Sequence, residues 1–314
     1  MSGGRTFSVV IPTYQRPVWI QRAIRSLQAQ DRPPDEVVPI ARDTDTPTHE
    51  AIAAVKRSGV PFELRMELVT EPGFLPPVRK GLGLAAGDVI AVLDDDAEAT
   101  DGWASRLLSH YQDGAVGAVG GRYINCNEQG PVPVPSTDRV GYINRRGQFI
   151  GRMYEDPTFT NPVEVQYLIG GNMSFRREIA RKLEFDMALN RNVAQGYEID
   201  LGLQTRHMGW KILFDPLLAV RHYSAPRAEV GMRGSDRESA RWYAFNHARV
   251  ALRRLPFARA QVSFAYQLLV GERRAPGVLP MALRPIARKL GFDVAVGAPA
   301  LNGRLLAVRS LFAA

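Results

Sequence analysis

The chain has 314 residues, 45% hydrophobic and 23% charged, which fits a globular protein of one large domain plus an appendage, or two modest domains. A single cysteine, Cys126, excludes an internal disulfide and a cysteine-built zinc cage and fits a reducing cytoplasm. The net charge of +8 is uneven: residues 221–314 carry 16 Lys/Arg against 5 Asp/Glu, whereas residues 1–220 carry 24 against 27.

Residues 7–11 predict a buried strand stopped by Pro12. Pro17 then opens a helix with Ile20, Ile24 and Leu27 on one face. Residues 36–40 predict a second strand, with Pro39 awkward for a central position, and residues 49–57 a helix. A third strand over 63–69 and a helix over 78–86 lead to the apolar run 89–93 and then Asp94-Asp95-Asp96. A helix over 101–113, with Trp103, Leu107 and Leu108 inward, and a short strand over 116–119 follow. Residues 125–162 predict a long loop region, with a hairpin, over the site. A strand over 165–169 should lead into Gly170-Gly171-Asn172, and Glu198 and Asp200 should precede a helix over 201–207. Residues 217–220 read as a strand leading to His222; after Pro226 the pattern turns helical and basic. Strands alternating with helices imply an α/β fold with a mostly parallel sheet, here a domain over 1–226 and a helical extension over 227–314. No run reaches the ~18 apolar residues of a membrane span, and the N-terminus lacks a signal peptide's apolar core.

The aspartate triplet carries the chemistry. Adjacent carboxylates repel, so the arrangement costs stability unless a cation lies near. Clustered oxygen ligands suit Mg2+ or Mn2+, and ligand sites in open α/β sheets lie beyond the carboxyl ends of the strands. The competing reading is a solvated acidic turn. Phosphate-loop readings fail: no G-x-x-x-x-G-K-[ST] occurs, and Gly81-Leu82-Gly83 with Gly87 precedes its strand.

Four ordered blocks resemble family 2 glycosyltransferases across residues 6–226. They are Val9-Val10-Ile11-Pro12-Thr13-Tyr14-Gln15-Arg16-Pro17; Glu71-Pro72-Gly73 with Gly81-Leu82 and residues 87–96; Gly170-Gly171-Asn172 through Arg177; and Tyr197-Glu198-Ile199-Asp200-Leu201 with Gly209-Trp210, Asp215-Pro216 and Val220-Arg221-His222. The resemblance implies a GT-A fold and sugar transfer from a nucleotide-sugar to an acceptor hydroxyl with inversion. It makes Asp94 and Asp96 the ends of a DXD motif, with Asp96 the direct ligand of Mn2+ or Mg2+, Asp94 and Asp95 at the ribose or a metal-bound water, and His222 the C-terminal metal histidine. It places Pro12, Thr13, Tyr14 and Arg16 at the donor, and Gly170, Gly171 and Asn172 around the sugar. The usual base is the aspartate of a Glu-Asp pair. Glu198 stands there, Asp200 lies two residues on, and both are candidates.

The chain also departs from the family. Ala41 and Arg42 stand where an acid pair grips uracil, with Asp43 slightly late, and Arg79 replaces a common Asn. Arg42, Asp43 and Arg79 could form a different nucleotide contact, an arginine pairing to phosphate; a UDP- or dTDP-sugar is the favoured donor. In the C-terminal third, Arg237, Arg241, Arg249, Arg253 and Arg254 stand among Trp242, Tyr243 and Phe245. Two readings stay open: basic amphipathic helices lying in a membrane interface, or a helical cap with a solvated arginine face. Nucleic acid fits poorly, since no nucleic-acid motif accompanies the charge. The acceptor would be a glycan, a lipid-linked molecule or a small molecule, met in the cytoplasm or at the inner membrane face. Alternatives are a sugar-phosphate nucleotidyltransferase and a non-catalytic nucleotide-sugar-binding or membrane-surface protein.

Overall fold

The computed structural model describes residues 5–192, 194–225 and 236–312. The chain forms two compact units, residues 1–142, 151–185 and 201–228 in the first and residues 143–150, 186–200 and 229–314 in the second. The boundary expected at 226/227 lies outside the described residues. The second unit also takes in 143–150 and 186–200, which the sequence pattern assigns to the first.

The first unit is built on one mixed sheet. Its early elements are β1 (Phe7–Thr13), α1 (Pro17–Gln28), β2 (Glu36–Arg42), α2 (Thr46–Arg57), β3 (Glu63–Leu64), β4 (Glu67–Val69), α3 (Leu75–Leu84), β5 (Val89–Leu93), β6 (Ala97–Ala99), α4 (Trp103–His110) and β7 (Val116–Asn127). Six two-residue strands cross the loop region: β8 (Gly130–Pro131), β9 (Ser136–Thr137), β10 (Tyr142–Ile143), β11 (Phe149–Ile150), β12 (Asp156–Pro157) and β13 (Val163–Glu164), with Ile143 and β11 counted in the second unit. Then come β14 (Asn172–Arg176), α5 (Arg177–Ala180), α6 (Tyr197–His207), whose first four residues fall in the second unit, and β15 (Lys211–His222). The sheet runs β13-β15-β7-β14-β5-β1-β2-β3. β1, β2 and β5 are parallel, whereas β14 lies antiparallel to both β5 and β7. β1 and β5 are buried throughout, which is why they read as unbroken apolar runs rather than alternating ones. Ile20, Ile24 and Leu27 of α1 are buried as predicted.

Both prolines find positions that tolerate a missing N–H. β1 runs through Pro12 instead of stopping there, but it pairs with β5 only as far as Val10 and beyond that with β2 alone. Opposite Pro39 the neighbouring strand is broken: Val37 pairs with Leu64 of β3 and Ile40 with Glu67 of β4, with residues 65 and 66 between. The single third strand expected over 63–69 is therefore two. The strand expected over 165–169 is also absent; the extended segment begins after the glycines, at Asn172.

The second unit holds α7 (Asp236–Arg254), α8 (Phe257–Leu269), β16 (Gly271–Glu272), β17 (Ala275–Pro276), α9 (Val278–Ala282), α10 (Arg284–Lys289) and α11 (Gly297–Ser310). α7 and α11 pack closely because Gly303 has no side chain; a Cβ there would overlap the Arg241 carbonyl. Of the two open readings of this region, the cap with a solvated arginine face is only partly matched, since two of its arginines are buried. Arg304 is buried and donates to the carbonyls of Ala275 and Pro276. Arg249 is buried too, with Nε 2.6 Å and Nη2 3.1 Å from the two oxygens of Asp186. Buried guanidinium groups need such partners, since an unpaired buried charge is costly.

Candidate functional site

Asp94, Asp95 and Asp96 leave the carboxyl end of β5, where an open sheet delivers side chains to a ligand. β6 follows at once and pairs antiparallel with β15, in a register that sets His222 opposite Ala97. That register carries the imidazole to the carboxylate one residue earlier: His222 Nε2 lies 3.3 Å from Asp96 Oδ1. Ligand atoms of Asp94, Asp96 and His222 all fall within 4.8 Å of one another. Two carboxylates and an imidazole at this separation fit a divalent cation such as Mn2+ or Mg2+. His222 Nδ1 faces Asn125 Oδ1 at 3.4 Å, a partner that orients the ring.

Part of the cation demanded by the triplet belongs to the chain itself. Arg16 Nη1 lies 2.6 Å from Asp95 Oδ1 and 2.9 Å from Asp96 Oδ2, while Nη2 donates to the Ala225 carbonyl at 2.9 Å. Thr13 Oγ1 donates to Asp95 at 2.8 Å, and the Ala225 amide donates to Asp96 at 2.9 Å. Burial pushes the Asp95 carboxyl up to about 7 despite the opposing pull of Arg16. Burial and the neighbouring Asp96 raise Asp94. For Asp96, burial acts upward, but the His222 hydrogen bond and Arg16 outweigh it and hold the carboxyl below its ordinary value. Burial works to lower His222, yet Asp96 and Asp94 raise it. The loops that deliver these groups carry backbone strain: Gln15 and Ser224, next to Arg16 and Ala225, adopt φ of 53° and 46°.

Gly171 has a packing reason to be glycine. Its φ is +80°, its carbonyl accepts from the Asp94 amide at 3.2 Å, and a Cβ would collide with the Asp94 carboxylate and the Tyr123 hydroxyl. Asn172, expected at the sugar, instead points inward: Oδ1 accepts from Trp103 Nε1 at 3.0 Å and Nδ2 donates to the Leu218 carbonyl at 3.0 Å. Its side chain ties α4 and β15 to β14. Gly170 sits half-buried beside Gly171, and Pro12 is buried in β1. Tyr123, absent from the sequence reading, donates to Asp94 at 3.3 Å and stands edge-on to His222, 5.2 Å between ring centres. The strand predicted over 116–119 continues as β7 through Tyr123, beyond the apolar run that marked it.

Of the residues that depart from the family, Arg42 lies with its guanidinium 5.7 Å above the Tyr14 ring, and Asp43 is exposed at the end of β2. Arg79 pairs with Glu71 at 3.5 Å in the open. Three further histidines have definite places. His49 bonds the Arg42 carbonyl, His110 pairs with buried Asp215 at 2.6 Å, and His247 lies buried in the second unit.

The two candidate bases lie in the first turn of α6, not ahead of it, and belong to the second unit. Asp200 is 2% exposed and clasped by Arg254, with Nε 2.6 Å and Nη2 3.1 Å from its two oxygens. A buried carboxylate that accepts at both oxygens is poorly placed to meet an acceptor hydroxyl. Glu198 is half-buried, accepts from the Gly196 amide at 3.2 Å and feels the charge of Arg274.

Comparison with known proteins agrees with this layout. Residues 8–184 match the model of glycosyl transferase family 2. A curated relative, the GalNAc(5)-diNAcBac-PP-undecaprenol beta-1,3-glucosyltransferase of Campylobacter jejuni, is 26% identical over 119 residues, 38% of this chain and 37% of that protein. The fold resembles a mannosyltransferase from Pyrobaculum calidifontis in complex with GDP-Man and Mn2+, with TM-score 0.60, 15% identity, and coverage of 98% of this chain and 88% of that one. It also resembles S. aureus TarS in complex with UDP-GlcNAc, with TM-score 0.55, 15% identity and 96% and 79% coverage. With more than half of its length under the family model, the chain belongs to glycosyl transferase family 2.

Proposed function

We propose that this glycosyltransferase takes a nucleoside diphosphate sugar, with UDP or dTDP as the carrier, and transfers the sugar to an acceptor hydroxyl with inversion. The observation that carries the reading is the Asp94–Asp96–His222 cluster at the exit of β5. These three would hold a divalent cation, which when bound offsets the charge that develops on the leaving diphosphate. Arg16 holds Asp95 and Asp96 in place, and the absence of a side chain at Gly171 leaves room for the Asp94 carboxylate. Arg42 over Tyr14 is the proposed contact for the nucleotide. Glu198 is the proposed base, because both Asp200 oxygens are held by Arg254. A single displacement needs one base and no enzyme nucleophile.

The proposed acceptor is lipid-linked, the class in which the Campylobacter relative works according to its name. It would be met at the cytoplasmic face of a membrane by peripheral contact through the basic C-terminal residues. Among the described residues no helix is long and apolar enough to cross a membrane. A panel of UDP-, dTDP- and GDP-sugars assayed for Mn2+-dependent hydrolysis or transfer tests the reading. Asp96→Ala should lower turnover by ~10^3-fold or more; transfer undiminished in that variant would sink it.

A further inference from the structure

The apolar side chains that the molecule leaves in water are unevenly placed. Of 17 large hydrophobic residues exposed among the described residues, 11 fall between Phe257 and Phe312. They are not scattered along that stretch. Leu283, Ile286 and Leu290 recur at helical spacing, the first and last capping the two ends of α10, with Ile286 and Leu290 each 58% exposed. Val278 and Leu279 open the preceding α9, which packs against both α8 and α10. On α8, Val262 and Leu269 stand outward seven residues apart, on the same side of the helix.

The charge on this segment has one sign. Residues 278–290 contain Arg284, Arg288 and Lys289 and no Asp or Glu, and all three cations are exposed. An apolar stripe flanked by cations and free of acids matches the two terms of an anionic bilayer surface, acyl chains below and phosphate or carboxylate head groups above. A docking site for a folded protein partner would gain from mixed charge around an apolar centre, which this segment lacks.

We infer that the α9–α10 segment, with the outward side of α8, is a docking surface for a membrane rich in anionic lipid. The leucine and isoleucine side chains enter the interface while Arg284, Arg288 and Lys289 meet the head groups. The contact would serve the lipid-linked acceptor proposed above; vesicle binding measured without donor or acceptor separates the failure of this surface from the failure of that reading.

The test is co-sedimentation of the full chain with phosphatidylserine/phosphatidylcholine vesicles and with pure phosphatidylcholine vesicles. Binding to the mixed vesicles that weakens with salt is expected, with little binding to the neutral ones. Two variants divide the contributions: R284E/R288E/K289E removes the charge, and L283S/I286S/L290S removes the apolar stripe. All six side chains are exposed, so both variants should keep the parent melting temperature while losing at least tenfold in vesicle affinity. The proposal is overturned if the parent fails to bind the mixed vesicles, or if both variants bind as tightly as it does. It is equally overturned if the serine variant only breaks a dimer of this chain and leaves lipid binding unchanged.

Discussion

The two units handle charge in opposite ways. The first gathers three carboxylates at one strand end and answers them with Arg16 and His222. The second buries arginines and closes two of them on carboxylates, Arg249 on Asp186 and Arg254 on Asp200, while Arg304 reaches two carbonyls through Nη1 and Nη2 and leaves its Nε without an acceptor among the described residues. Closed pairs leave nothing for a ligand to satisfy. An acidic excess at a strand exit does, so the closed pairs of the second unit read as structural and the carboxylate cluster of the first as the candidate for chemistry.

Glu198 is the sharpest challenge to that division, as a second-unit carboxylate assigned a chemical task. Glu198→Gln should lower kcat by ~10^2- to 10^4-fold with the protein still folded. Asp200→Asn should instead weaken the fold around Arg254 and leave more turnover per folded molecule. Single-turnover rates paired with melting curves check both, and the reverse pattern would make Asp200 the base.

Asp186→Ala probes the structural side. It strands Arg249 and Arg253, both of which bond that carboxylate, and should cost ~3–5 kcal/mol. Calorimetry would register this as earlier melting, and an unchanged transition would contradict the structural role. The smallest expected effect is a pH dependence. Burial, with Arg274 and Arg304 nearby, pushes the His247 imidazole down to about 3 from its ordinary 6.5. The unfolded chain therefore binds this proton more readily, so the stabilisation is complete above pH 6.5 and is lost as pH falls toward 3. The loss should be on the order of 2–4 kcal/mol. Melting temperatures of the parent and His247→Phe should diverge in their slopes between pH 7 and pH 4; parallel slopes would remove His247 from the account.

Much of the first unit was legible because its signals are local. Apolar runs marked β1, β2 and β5, the spacing of Ile20, Ile24 and Leu27 marked α1, and the acids announced themselves by adjacency. His222 was found through its motif, and the β6–β15 register explains its place. What escaped was pairing over distance. Arg16 reaches Asp95 across 79 residues and Arg254 reaches Asp200 across 54, and neither partner alters the periodicity of the other's segment. Pattern also cannot say which side of a glycine pair the strand occupies, so the extended segment was placed before Gly170 rather than after Gly171. For α7, composition left a membrane interface and a solvated face both open, while the acids that draw Arg249 and Arg254 inward come from elsewhere in the chain.

Arg16 has a consequence for the life of the protein. Because a guanidinium already straddles two of the clustered acids, maturation of the polypeptide need not wait for a mineral supply. Loading can follow synthesis, and a chelator should switch the catalyst off reversibly without unravelling it.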